Sequence, residues 1–146
     1  MRDWPRGVIP FGGDYNPEQW PREVWREDIA AMQRAGVTFV SLGIFSWSWV
    51  EPSDGTYDFG WLDEVMGLLA AADIAVDLAT ATASPPMWLA QAHPEIAPID
   101  HDGHRLWPGS RQAWCPSSAT FTAYATRLTE AMAQRYHDHP ALAMWH

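Results

Sequence analysis

Short apolar runs alternate with amphipathic helix patterns along almost the whole chain, and this alternation limits the fold more than any other feature. Val8 to Asp14, Val37 to Leu42, Ile74 to Ala79 and Ala141 to Trp145 read as strands. The second is apolar throughout except at Thr38 and Ser41. A strand without polar alternation suits a parallel sheet covered on both faces. Between the strands lie three segments long enough for right-handed crossovers.

Pro21 to Ala35 carries Trp25, Ile29 and Met32 on one helical face, and Gly36 follows where a C-cap wants glycine. Gly60 to Ala72 places Trp61, Val65, Leu68 and Leu69 on a buried stripe, with Asp58 placed to cap it. A third helix, capped by Ser117 or Ser118 and reaching about Asp138, presents Phe121, Ala125, Leu128 and Met132. Phe45 to Tyr57 reads as a long loop. Thr80 to Pro116 reads as a longer one, with a short helical piece near Pro86 to Ala92. Loops of this length in a compact domain usually carry function. The order fits either a doubly wound open sheet or part of a (β/α)₈ barrel. The chain has 146 residues, whereas a full barrel takes about 250. No Gly-x-Gly-x-x-Gly follows the first strand, so a dinucleotide fold has little support.

The formal charge of −9 argues against nucleic acid, which needs a basic face, and against an anionic membrane surface. No run approaches the roughly 18 apolar residues of a membrane span. The first six residues, Met1 to Arg6, lack the apolar core of a signal peptide. Cys115 is the one cysteine, so no internal disulfide forms and a reducing, cytoplasmic setting is expected.

Ligands of parallel α/β proteins sit where strands end. Here the first strand runs into Gly12-Gly13-Asp14-Tyr15-Asn16-Pro17-Glu18-Gln19-Trp20. Aromatic faces beside carboxylate and amide groups suit a sugar ring, with its apolar faces and many hydroxyls. Several of the ten tryptophans, among them Trp20, Trp47, Trp49, Trp88, Trp107 and Trp114, stand at turns rather than on periodic apolar faces.

Four segments resemble glycoside hydrolase family 42, microbial β-galactosidases with a (β/α)₈ catalytic barrel. They are Gly13 to Trp20; Phe45-Ser46-Trp47-Ser48-Trp49-Val50-Glu51-Pro52, continuing through Gly55, Tyr57, Asp58, Phe59, Trp61 and Leu62-Asp63; Ala83-Ser84-Pro85-Pro86-Met87-Trp88-Leu89; and Gly109-Ser110-Arg111 leading to Cys115-Pro116. They occur in the family's order. The resemblance implies a partial TIM barrel, about the first four strands and three helices, with residues 1–146 forming the N-terminal part of one catalytic barrel. It also implies a retaining enzyme that removes terminal β-galactose, using two carboxyl groups about 5 to 5.5 Å apart. The family's acid/base glutamate follows an asparagine at the end of the fourth strand, and the nucleophile lies on a later strand. Both positions fall beyond His146, so neither catalytic carboxylate is expected within this chain, and the chain alone is expected to be inactive.

Arg111 matches the family arginine that contacts galactose. Asp14 and Asn16 are expected to line the pocket floor, and Trp88 and Trp47 to offer platforms for the sugar. Glu18 and Glu51 are expected to organise their loops through hydrogen bonds or ion pairs rather than to act on substrate. Some family members hold zinc with a cysteine at the position of Cys115 and three more downstream; one thiolate makes no site, so a neutral thiol is expected here. His101, Asp102 and His104 are read as a solvated turn, and His137 and His139 as the end of a helix. The expected partner is a β-galactoside, with homo-oligomers implied because trimers are common in the family.

Overall fold

A computed structural model describes residues 9–109 and 112–146. Its sheet contains β1 (Gly12–Tyr15), β2 (Phe39–Leu42), β3 (Ala75–Leu78) and β4 (Leu142–Trp145), all parallel and in the order β1-β2-β3-β4. Spatial order follows chain order with no reversal. A doubly wound sheet needs a reversal, whereas a barrel wound in one direction does not. The helices are α1 (Trp25–Arg34), α2 (Trp47–Val50), α3 (Gly60–Ala71), α4 (Met87–Ala92) and α5 (Ala119–Tyr136). The three long ones are the crossovers, so the chain forms the partial (β/α) barrel that the segment order implied.

Parallel register places Gly13, Val40, Val76 and Leu142 on one rung and Tyr15, Leu42, Leu78 and Trp145 on another. Most of these side chains join the core with Ile29 of α1, Leu62, Val65, Met66 and Leu69 of α3, and Leu128 and Met132 of α5. Alternate positions, Asp14, Ser41, Asp77 and Met144, occupy the intervening rung and therefore the other face. A register shift between Val76 and Asp77 brings Asp77 opposite Met144.

Local chemistry sets the helix ends. Gly36 N–H bonds to Gln33 O and Val37 N–H to Met32 O, with Gly36 at φ +75°. This is a Schellman stop, where a left-handed residue turns the chain directly into β2. Asp73, at φ 61°, closes α3 in the same way through Asp73 N–H to Ala70 O and Ile74 N–H to Leu69 O. Ser118 Oγ accepts the Phe121 N–H at 3.2 Å and starts α5. Gly60 N–H donates to Asp58 Oδ1 at 2.9 Å. Across the outer layer, Asp63 of α3 accepts from Arg135 and from Tyr136 Oη of α5.

Three sequence expectations change. The sequence pattern places a buried first strand at Val8 to Asp14. The observed strand is Gly12–Tyr15, Val8 lies outside the described residues, and Ile9 and Phe11 are exposed, because among the described residues β1 pairs with β2 alone. The stripe on α3 is rotated: Leu62 and Met66 are fully buried, whereas Trp61 and Leu68 are half-buried. That helix is apolar nearly all round, so the sheet rather than periodicity decides its inward face. The Phe45–Tyr57 loop contains a helical turn, α2, too short for any periodic signal.

A methyl group added to Gly12 would lie 1.6 Å from the main-chain oxygen of Phe39, whereas one on Gly13 would meet nothing within 4 Å. Gly12→Ala is expected to lower unfolding free energy in urea by about 2 kcal/mol or more, through parting of β1 from β2. Gly13→Ala is expected to stay within about 0.5 kcal/mol of the parent.

Candidate functional site

The C-terminal ends of β2, β3 and β4 converge on a cleft of about 110 Å³ lined by Ile44, the stretch Ala79–Ala83 and His146. The small side chains of Ala79, Ala81 and Ala83 leave this space open. Ala81 is buried and held at φ 60°, a conformation costly for a residue with a Cβ and found mainly where the surroundings impose it. A second, wider cleft of about 580 Å³ lies beside the end of β1, with Asp14, Asn16, Gln19 and Trp20 among its lining residues. Asp14 is exposed, and the buried Oδ1 of Asn16 has no hydrogen-bond partner among the described residues.

The loop after β2 is organised around Glu51, whose side chain is fully buried. Its Oε2 accepts from Trp47 Nε1 at 2.8 Å. Its Oε1 accepts from Gly55 N–H at 2.9 Å and from Arg127 of α5 at 2.5 Å. Arg127 also reaches Asp54 at 2.6 Å and stacks over Tyr124. Partial burial works against its charge, but the hydrogen bond to Asp54 and the charge of Glu51 hold its pKa above the usual arginine value. Glu51 therefore takes the scaffold role expected of it.

Trp47 is wholly buried, and its ring packs against Phe121. With no open face, it does not provide the sugar platform expected from sequence; its position after the strand was legible, its inward direction was not. Trp88 donates Nε1–H to Glu51 O at 2.8 Å and meets Tyr124 edge-on, keeping part of its ring exposed. Arg111 lies outside the described residues.

Glu18 differs from Glu51. It is 8% exposed, and among the described residues neither carboxylate oxygen accepts a hydrogen bond from another residue. The expected loop-organising bonds are therefore missing among the described residues, and burial pushes its pKa up.

Cys115 is a half-buried free thiol. Among the described residues, the one group spaced for a metal is Asp100, Asp102 and His104, which excludes Cys115. Asp100 Oδ1 already accepts the N–H groups of Asp102 and His104 and closes their turn. No zinc chemistry is assigned on these residues. His137 pairs with the adjacent Asp138 at the surface. Burial lowers the pKa of His139, which packs against Tyr136. Among the described residues no helix is long and apolar enough to cross a membrane.

Sequence reading missed the pairing of Asp77 with His146, whose Oδ2 and Nδ1 lie 2.7 Å apart beside the smaller cleft. The two are far apart in the chain, and only parallel register brings them together.

A singly wound parallel sheet with polar groups and a cleft at its strand ends defines the class: the opening part of a (β/α)₈ barrel. The family profile of glycoside hydrolase family 42, described as β-galactosidase, matches residues 14–146. The chain belongs to that family. It is 59% identical over 138 residues to a β-galactosidase of Arthrobacter sp., covering 94% of this chain and 20% of that protein. It is 55% identical over 136 residues to a β-galactosidase of Bifidobacterium bifidum, covering 93% and 20%. The crystallised β-galactosidase of the haloarchaeon Halorubrum lacusprofundi superimposes with a TM-score of 0.90 at 40% identity, over 94% of this chain and 20% of that one. The chain thus spans about one fifth of the length of these relatives.

Two outcomes follow from the buried carboxylates. Arg127→Met leaves Glu51 buried without its cation and is expected to cost about 3 kcal/mol in chemical denaturation; adding Glu51→Gln should restore part of that loss. Glu18 has a folded pKa above its ordinary 4.5. Its contribution is therefore complete below the unfolded pKa and is lost as pH rises through the folded pKa. Glu18→Gln should raise the thermal midpoint at pH 7, with the gain disappearing near pH 4.

Proposed function

We propose that this chain supplies the first part of the catalytic barrel of a retaining β-galactosidase, which hydrolyses terminal non-reducing β-D-galactose residues as part of a longer polypeptide. The observation that carries this reading is the 59% identity to the Arthrobacter β-galactosidase along 94% of the chain, supported by a cleft at the strand ends where barrel enzymes act.

In a retaining mechanism one carboxylic acid protonates the glycosidic oxygen while a second carboxylate attacks the sugar carbon. Water then releases galactose, with the first group acting as base. Both carboxyl groups are assigned to polypeptide following His146, so the isolated chain binds its part of the sugar without turning it over. Arg111 is assigned to the galactose hydroxyls, since a guanidinium offers several fixed donors. Asp14 and Asn16 are assigned to the wall near β1, and Trp88 to the rim. Trp47 is assigned a supporting role through Glu51. The single cysteine favours a reducing cytoplasmic setting.

A second reading, a self-associating or sugar-binding half-barrel without activity, draws on the sheet edges. β1 and β4 each have one neighbouring strand, and Ile9, Phe11 and Met144 are 89%, 59% and 40% exposed. Such edges favour pairing with another chain.

Grafting this chain in place of the 138 matched residues of the Arthrobacter enzyme separates the two readings. The graft is expected to hydrolyse nitrophenyl-β-galactoside, Arg111→Ala to reduce kcat/KM by roughly 100-fold, and the isolated chain to show no turnover. A folded but inactive graft, with the isolated chain sedimenting as an oligomer, would favour the second reading.

A further inference from the structure

The face of the sheet turned away from the helices carries a polar cluster that the proposed function leaves unused. Asp77 lies within β3, between strands on both sides, and is 8% exposed. Its Oδ2 accepts a hydrogen bond from Ser41 Oγ of β2 at 3.3 Å and lies 2.7 Å from His146 Nδ1, just past β4. One carboxylate thus ties together the ends of three strands.

The main chain reinforces the tie. His146 N–H donates to Leu78 O at 3.2 Å, and Thr80 N–H donates to His146 O at 2.8 Å. With Nδ1–H given to Asp77, the neutral ring is the tautomer with a bare Nε2. His146 lines the strand-end cleft. A carboxylate buried in mid-strand is poor for stability compared with an apolar residue of its size. What it supplies here is orientation: the residue just past β4 is held by its backbone and its side chain, with its ring in one direction.

We propose that Asp77 and His146 form a positioning pair that fixes the end of β4, so that the acid/base glutamate following it is presented to the cleft in one orientation. The inference rests on the proposed function, since it needs that glutamate. Asp77 acts through His146, and neither group transfers the proton. Ser41 Oγ donates to the same Asp77 oxygen, Oδ2, and holds the carboxylate toward β2.

The test uses the Arthrobacter graft, with kcat, KM and thermal midpoint measured for each variant. Asp77→Asn and His146→Leu are each expected to lower kcat by roughly 10- to 100-fold, as misplacement of a reacting group does, with KM within about twofold of the parent. In His146→Asn the side-chain amide nitrogen takes the place of Nδ1 and still donates to Asp77, so kcat should stay within about threefold of the parent. The thermal midpoint shows that each variant is folded; the split between kcat and KM and the rescue by His146→Asn decide the outcome even where a midpoint falls. Unchanged kcat in His146→Leu, or a loss in His146→Asn equal to that in His146→Leu, would overturn the pair while leaving the galactosidase reading intact. A folded parent graft without turnover would instead remove that reading, and this inference with it.

Discussion

Burial of Glu51 is the constraint on which the connections between the strands depend. A carboxylate removed from water is tolerated only when donors surround it, and here each donor comes from a different part of the chain. Trp47 belongs to the turn after β2, Gly55 to the turn before α3, and Arg127 to α5. The main-chain oxygen of the same residue receives the indole N–H of Trp88, from the connection after β3. One acidic residue therefore fixes two strand-end loops and the last crossover helix relative to one another. Arg127 is held in turn by Asp54 and by the ring of Tyr124.

That scaffold allows the strand ends to remain open. Ala79, Ala81 and Ala83 line the small cleft with minimal side chains, and Ala81 is both buried and in a left-handed conformation. The polar groups that face this region, Asp77 with Ser41 and His146, sit on the opposite side of the sheet from the helix-packed core. The same sheet thus separates an apolar face, packed against the helices, from a face that carries this polar cluster. Glu18 breaks the pattern, being buried near the end of β1 with neither oxygen paired to another residue among the described ones.

Much of this was legible in the residues. The apolar runs located all four strands, and Gly36, Asp58 and Ser118 marked helix ends by known capping chemistry. The strand-end segments around Asp14 and Glu51 pointed to the family. The direction in which individual aromatic rings turn was not legible. Trp47 and Trp88 stand in similar turn-rich contexts, yet one is sealed in the core and the other is partly open. Nor could a single acidic residue declare its environment: Glu18 and Glu51 both follow a strand beside proline and tryptophan, but among the described residues only Glu51 finds donors on other residues.

The sequence by itself determined the alternation of strands and helices, hence parallel pairing and crossover connections, because periodicity and capping are local properties of the chain. It also determined family membership through segments whose residues can be read one at a time. Strand order, the inward face of an all-apolar helix such as α3, and the meeting of Asp77 with His146 were decided only by tertiary structure. These depend on register and on contacts between residues far apart in the chain, and no local pattern encodes such distances.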